Sequence, residues 1–373
     1  MKTISYLKTM ALSAIVVLGA CQKDPVEPGI ETKDLNAAFN LESGRTASGW
    51  KKMEGLPEAP VLNLSYENGE ILALGNNYRF KINPSTLKTN AESFGSFSED
   101  YSTTLNQRFF TKISKTSIFV FSTQNPTNSA ILDLQKFDPE FDRFISLPGC
   151  YSKAIASTEA NVFLTAYTRK STNDRSANGP VSLVVFSTSV SKSGNVVISK
   201  VETISVPDLP AGTRLLTVFA WEEKFIVSFD SKTMVVGQDG IYYEVSDQSI
   251  FEVIPFQGLL LGFGENQILL SKDAGITWAP YIRNKPGQFN YWEQKGFQFG
   301  NGLITSSPTE IFQIDLRVDN PVFYIKQIPS SELGLDKEHI IYDMINVNQT
   351  LFVATSRGIF MKPHKEQEPR REI

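Results

Sequence analysis

The chain has 373 residues, with 36 Lys and Arg against 40 Asp and Glu, for a formal charge of −4. That balance disfavours nucleic acid as a partner. Only two cysteines, Cys21 and Cys150, are present, which excludes a disulfide-stapled scaffold, so the fold depends on its own apolar core.

The first eight residues, Met1-Lys2-Thr3-Ile4-Ser5-Tyr6-Leu7-Lys8, carry two lysines, and an apolar stretch from Met10 to Ala20 follows. A basic start and a short apolar run form a secretion signal, with too few apolar residues to span a bilayer. The order Leu18-Gly19-Ala20-Cys21 then resembles the bacterial lipobox. The resemblance implies cleavage before Cys21, a diacylglycerol on its thiol and an acylated amino terminus (palmitate as the acyl class). Residues 1–20 are therefore expected to be a lipoprotein signal peptide, and the lipid bilayer to be a partner through Cys21. Removal of 1–20 takes out Lys2 and Lys8 and leaves 34 basic against 40 acidic residues, near −6. No later segment reaches 18 continuous apolar residues, so anchoring rather than spanning is expected.

After the cysteine, Gln22-Lys23-Asp24 is similar to the lipoprotein export signal of Bacteroidetes, with one acidic residue where that signal has several. It implies an outer-membrane lipoprotein facing outward; a periplasmic orientation stays open. Residues 21–45 are polar with early proline and glycine, the composition of a flexible tether.

From 46 to 363 the pattern changes. Short apolar runs recur between turn signals, among them Glu70–Gly75, Ser117–Phe121, Asn161–Ala166, Val181–Phe186, Lys224–Phe229 and Thr350–Ala354. With 26 Phe, 12 Tyr and hardly any apolar 3,4-spacing, they predict an all-β chain. The runs fall into a loose repeat of roughly 40–50 residues. The segments Thr233–Tyr243 and Leu351–Met361 each read as strand, glycine turn, strand. A β-propeller follows, with blades centred on 60–82, 105–137, 142–188, 196–243, 251–280, 295–328 and 339–363. Seven blades suit the length; six or eight, or a pair of β-sandwiches, remain open. Residues Trp50–Leu56 are the candidate closing strand beside the last blade.

Ser271-Lys272-Asp273-Ala274-Gly275-Ile276-Thr277-Trp278 matches Ser-x-Asp-x-Gly-x-Thr-Trp at every defined position. It resembles the Asp-box of the bacterial neuraminidase repeat, found in sialidases, related glycosidases and non-enzymatic propellers. The resemblance implies a hairpin between the third and fourth strands of a blade, on the outer rim. There Ser271, Asp273, Gly275, Thr277 and Trp278 have structural roles. The turn chemistry agrees: Asp273 accepts hydrogen bonds from its own turn, and Gly275 supplies a positive φ.

Catalytic chemistry is less well marked. The early Arg-Ile-Pro element of sialidases is missing, and Tyr281-Ile282-Arg283 has the wrong spacing. Cys150 reads as a small buried hydrophobe, and His339 and His364 are too far apart to suggest a metal site. Asp336-Lys337-Glu338 reads as a solvated turn, and no cofactor is implied. Tyr281, Tyr291 and Trp292, with Asn290 and Glu293 beside them, are candidate sugar-stacking aromatics, although packing between blades is the better-supported account of them. Segment 168–180 is the longest polar insertion, and 364–373 is a charged tail. The functional expectation is a non-catalytic platform that binds a glycan or a surface protein. A glycoside hydrolase or polysaccharide lyase acting on extracellular glycans is the alternative.

Overall fold

The structure, a computed structural model, describes residues 49–56, 59–75, 78–93, 101–105, 108–125, 127–145, 154–170, 179–206, 209–210, 212–265, 267–283, 295–300, 302–317, 322–328 and 340–363. All of them belong to the compact unit Arg45–Ile373. Residues 1–48, on which the signal-peptide and tether expectations and Cys21 fall, together with Cys150, Tyr291, Trp292, His339, His364 and residues 364–373, lie outside the described residues. Among the described residues, no helix is long and apolar enough to cross a membrane.

The described residues form a β-propeller of seven antiparallel blades, with one short helix, α1 (Leu134–Phe137). Blade 1 comprises β2 (Val61–Glu67), β3 (Glu70–Gly75), β4 (Tyr78–Ile82) and β5 (Thr89–Ser93); blade 2 comprises β6 (Tyr101–Leu105), β7 (Phe109–Ser114), β8 (Ser117–Ser122) and β9 (Ser129–Asp133). Blade 3 has an inner strand in two pieces, β10 (Phe141–Phe144) and β11 (Ile155–Ser157). It continues through β12 (Val162–Arg169), β13 (Val181–Val190) and β14 (Val196–Val206). Blade 4 is β15 (Leu215–Trp221), β16 (Lys224–Phe229), β17 (Thr233–Gly237) and β18 (Tyr242–Ser246). Blade 5 is β19 (Glu252–Phe256), β20 (Leu259–Phe263), β21 (Ile268–Ser271) and β22 (Ala279–Arg283); blade 6 is β23 (Lys295–Phe299), β24 (Gly302–Ser306), β25 (Ile311–Arg317) and β26 (Val322–Ile328). Blade 7 is β27 (Ile341–Val347), β28 (Thr350–Thr355), β29 (Gly358–Pro363) and, from the other end of the propeller, β1 (Lys51–Lys52).

The ring closes where the sequence predicts. Lys51 and Lys52 pair with Met361 and Phe360, and the Met53 amide donates to the Ile359 carbonyl at 2.9 Å. Trp50 anchors this strand in a cluster with Ile311, Ile341 and Leu351, and Lys362 lies over its ring. Closing a ring in this way leaves no blade to be held by sequence neighbours alone.

Local chemistry forms the hairpins. Between the first and second strands of blades 1, 5 and 7 stand two-residue turns, Asn68-Gly69, Gln257-Gly258 and Asn348-Gln349, with φ of 51° and 80°, 50° and 77°, and 50° and 60°. Positive φ at both turn positions gives the twist that suits adjacent antiparallel strands.

One blade boundary differs from the sequence reading. Val196–Val206 is the outer strand of blade 3, paired with β13 over Val181–Val190, not the start of blade 4. The polar turn Ser191–Asn195 looks like a boundary in sequence but is the tip of a long hairpin. That tip reaches blade 2, where the Asn128 side chain donates to the Gly194 carbonyl at 3.2 Å.

Side chains alternate across each blade, so one set meets the preceding blade and the other the following one. Apolar clusters of described residues fill the seams between blades 2 and 3, 3 and 4, 4 and 5, 5 and 6, and 6 and 7. Between blades 3 and 4, Leu164, Leu183 and Val185 meet Phe225, Val227, Phe229 and Met234. The seam between blades 1 and 2 is different: among the described residues its apolar cluster has Leu74, Phe110 and Phe121 as buried members, with Phe119 against them.

Candidate functional site

All inner strands begin at one face of the ring, here the upper face, and end in the first hairpin at the lower face. Counting back four residues from the last paired residue before that hairpin reaches Asn63, Thr217, Glu252, Lys295 and Asp343 in blades 1, 4, 5, 6 and 7. Every one is polar, and strand alternation turns each toward the following blade. Asn63 and Thr217 are buried, while Glu252, Lys295 and Asp343, on three consecutive blades, are half-buried.

The charged members tie blade to blade. Asp343 accepts the Leu64 amide of blade 1 at 2.8 Å and the Met344 amide at 2.9 Å. Lys295 of blade 6 donates to the Tyr342 carbonyl of blade 7. Burial pushes the Asp343 carboxyl up to about 6; Lys295 and the two amides pull against that shift, and Glu252 adds to it. Burial also raises the neighbouring Tyr342 phenol. The arrangement holds a carboxyl near neutrality beside an ammonium group, chemistry that suits proton exchange or a polar ligand.

A second polar cluster lies in blade 3 at the same face. Tyr167 Oη donates to Asp138 Oδ2 at 2.7 Å, Arg169 Nε donates to the same oxygen at 2.8 Å, and the Glu140 amide donates to Oδ1 at 3.1 Å. Burial, reinforced by Asp138, pushes Tyr167 up to about 12. Burial alone raises Asp138, yet the hydrogen bonds from Tyr167, Glu140 and Arg169 outweigh it and hold the carboxyl below its ordinary value. The Asp138 amide also closes α1 on the Leu134 carbonyl at 2.7 Å. These bonds join the helix to blade 3.

The Asp-box residues sit elsewhere. Strand β21 runs parallel to the inner strand β19, so the Ser271–Trp278 hairpin, between the third and fourth strands of blade 5, emerges at the lower face. Asp273 Oδ1 accepts the Thr277 amide at 2.8 Å and the Ser271 hydroxyl at 2.9 Å, and Oδ2 accepts the Thr277 hydroxyl at 2.6 Å. Burial raises the Asp273 carboxyl, but these bonds prevail and lower it. Ser271 Oγ accepts the Gly275 amide at 2.8 Å, and the Trp278 indole donates to the Gly275 carbonyl at 3.0 Å. The indole packs with Ile226 and Val235 of blade 4 and Leu260 of blade 5. Gly275 has φ +89°, and a Cβ there would meet Ile226 at 2.6 Å. Blade 4 has a plainer counterpart, in which the Ile241 amide donates to Asp239 Oδ1 at 3.1 Å and Gly240 rests on Ile204 of blade 3.

Of the candidate stacking aromatics, Tyr281 has a described backbone in β22, paired with Ile268. Tyr291 and Trp292 fall, in chain order, in the connection from β22 to β23, outside the described residues. The upper-face group Glu252, Lys295 and Asp343 is absent from the sequence reading. The available signal is a polar residue at constant spacing before a first hairpin, and it emerges only when first hairpins, rather than third ones, are aligned.

No family model and no curated protein matches the chain. Solved propellers do. The structure of U3-55K is 11% identical over 86% of this chain and 100% of that one, with a TM-score of 0.54. The extracellular domain of a putative one-component system from B. thetaiotaomicron is 9% identical over 85% of this chain, with a TM-score of 0.49, and this chain spans 40% of its length. BamB from Moraxella catarrhalis is 8% identical over 89% of this chain and 96% of that one, at 0.46. The likeness to U3-55K supports the fold and nothing finer.

Proposed function

We propose that the chain is a lipid-anchored, extracytoplasmic β-propeller lipoprotein whose ring is a non-catalytic platform for a glycan or a surface protein. One observation carries the platform reading: Asp343 and Lys295 at the upper face are bonded to the backbone of the following blade. Charged side chains held in this way stiffen the ring, and a stiff ring presents connecting loops in fixed positions, which lowers the ordering cost of binding. The aromatic connection between β22 and β23 leads into the inner strand that begins with Lys295, so it is the first segment to probe for sugar stacking.

Anchoring rests on Leu18-Gly19-Ala20-Cys21, and the outward orientation on Lys23-Asp24. Labelled palmitate is expected to enter the wild-type chain and not Cys21→Ser, with the variant released from the membrane fraction. Protease treatment of intact cells separates the outward from the periplasmic orientation.

A second reading, a glycan-cleaving enzyme, draws on Asp343. A carboxyl pushed up to about 6 near a second carboxylate, that of Glu252, is the kind of pair that divides acid and base work. A glycan array and a polysaccharide-turnover screen of the purified protein decide between the two. Binding without turnover supports the platform; turnover abolished by Asp343→Asn supports the enzyme and overturns the platform.

A further inference from the structure

The lower face carries an apolar fringe that no blade covers. Among the described residues, nine large apolar side chains are exposed, and five of them stand at or beside the third hairpins of blades 3, 4 and 5: Val190, Val197, Ile241, Tyr243 and Ile276. Third strands run parallel to inner strands, so all three hairpins turn at the lower face. Ile241 and Tyr243 are 54% and 60% exposed, far from the burial of a side chain packed between blades.

The three tips are braced. The Asn128 side chain of blade 2 donates to the Gly194 carbonyl of blade 3, Gly240 of blade 4 rests on Ile204 of blade 3, and Gly275 of blade 5 rests on Ile226 of blade 4. Each tip leans on the blade before it, so the apolar side chains stand in fixed positions along one arc of the rim. The carboxylates of these turns are engaged by the turns themselves: Asp239 accepts the Ile241 amide, and Asp273 accepts from Thr277 and Ser271. Lys192 and Lys272, on the tips of blades 3 and 5, are exposed.

The chain enters the propeller at the same face. Strand β29 descends to the lower face, β1 is antiparallel to it, and Lys51 pairs with Met361 near its lower end. Buried Trp50 fixes that entry at blade 7, across the ring from blades 3 and 4. A flexible tether of about 30 residues reaches roughly 30 Å and by itself leaves a ring free to turn, so a second contact is needed to choose a face. Apolar side chains interleaved with exposed lysines fit the headgroup boundary of a bilayer, where apolar groups enter the acyl edge and ammonium groups meet lipid phosphates. We propose that the lower rim of blades 3, 4 and 5 rests on the surface of the bilayer, with its apolar tips and lysines in the headgroup layer. This rests on the anchoring through Cys21 proposed above. The entry at blade 7 and the tips on the opposite arc then meet one plane from two sides. The upper face, with Glu252, Lys295 and Asp343, is turned away from the membrane toward an incoming partner.

The test uses the lipidated full chain in vesicles of phosphatidylethanolamine and phosphatidylglycerol that contain a headgroup-labelled nitroxide lipid. With Cys150→Ser and an acylated Cys21, a fluorophore is placed on one new thiol at a time, Ser193→Cys at a lower tip or Glu265→Cys in the second hairpin of blade 5 at the upper face; both positions are exposed. Flotation with the vesicles reads anchoring, and quenching reads which face lies near the lipid. Quenching is expected to be severalfold stronger at residue 193 than at 265. Combining Ile241→Glu with Ile276→Glu should bring the two close to equal, with flotation unchanged because the lipid on Cys21 is untouched. A chain that does not float refutes the anchoring, and the inference falls with it. A chain that floats with equal quenching at both labels overturns the inference alone. Strong quenching at residue 193 that survives the double glutamate variant also overturns it, as does a dimer in sedimentation that Ile241→Glu dissociates, since a second copy then covers the tips.

Discussion

Two seams of the same ring are built from opposite materials. Between blades 3 and 4, Leu164, Leu183, Val185, Phe225, Val227, Phe229 and Met234 interdigitate, and Phe225 and Phe229 are fully buried. Between blades 1 and 2 the apolar cluster is small, and Arg79, Lys112 and Glu92 occupy positions that are apolar at the other seam. Apolar burial works without direction and tolerates reshaping, so the first seam is suited to holding the ring. Charge burial stabilises only where donors find partners, and among the described residues Arg79 Nε and Nη1 have none, so the second seam is the weaker joint.

Substitutions should separate the two. Phe225→Ala opens a cavity at the apolar seam and is expected to cost about 3–5 kcal/mol, read by denaturant unfolding. A loss under 1 kcal/mol would show that this seam is not what holds the ring. At the charged seam, Glu92→Ala strips Arg79 of its carboxylate and should cost about 2–3 kcal/mol, while Arg79→Met with Glu92→Leu should return close to wild type. Equal losses from the single and double variants would refute the claim that the pair gains little over apolar packing.

The upper-face tie predicts a pH signature of intermediate size. The Asp343 carboxyl is raised from 3.8 to about 6, so the folded chain binds a proton before the unfolded chain does. Its contribution therefore favours folding as pH falls from 7 through 6 and levels off near 4, by on the order of 2 kcal/mol. Asp343→Asn should flatten that slope, and Lys295→Met should move it to higher pH. An unchanged profile in both variants would remove Asp343 from the account.

The smallest effect belongs to the Asp-box. Asp273→Ala frees the Thr277 amide and hydroxyl in a half-open turn and should cost about 1 kcal/mol without altering ligand binding. Abolished binding in a stably folded Asp273→Ala would place function at the lower face instead.

The strand runs and the Asp-box hairpin were legible in sequence because each depends on neighbouring residues, and the closing segment near Trp50 because a ring of blades requires a strand from its start beside its last blade. Alternation, a glycine with positive φ and a carboxylate that binds its own turn all act within ten residues. The outer strand Val196–Val206 was misassigned for the same reason: its polar hairpin tip and a true blade boundary have the same composition. Lys295 and Asp343 escaped notice because their partners, Tyr342 and Leu64, lie 47 and 279 residues away. Arg79 escaped because a third-strand arginine ordinarily points to water, and only the packing of blade 2 buries it.

By itself, then, the sequence determined an all-β repeat and the turn chemistry that folds each blade, and it supplied a resemblance, at residues 1–21, to the leaders of anchored lipoproteins. These follow from covalent geometry and local hydrogen bonding. Tertiary structure alone decided which polar side chains meet, since the ring brings the start of blade 1 against blade 7 and places two cations at one seam. Charge effects depend on distance and on exclusion of water, and neither is set until the blades have packed.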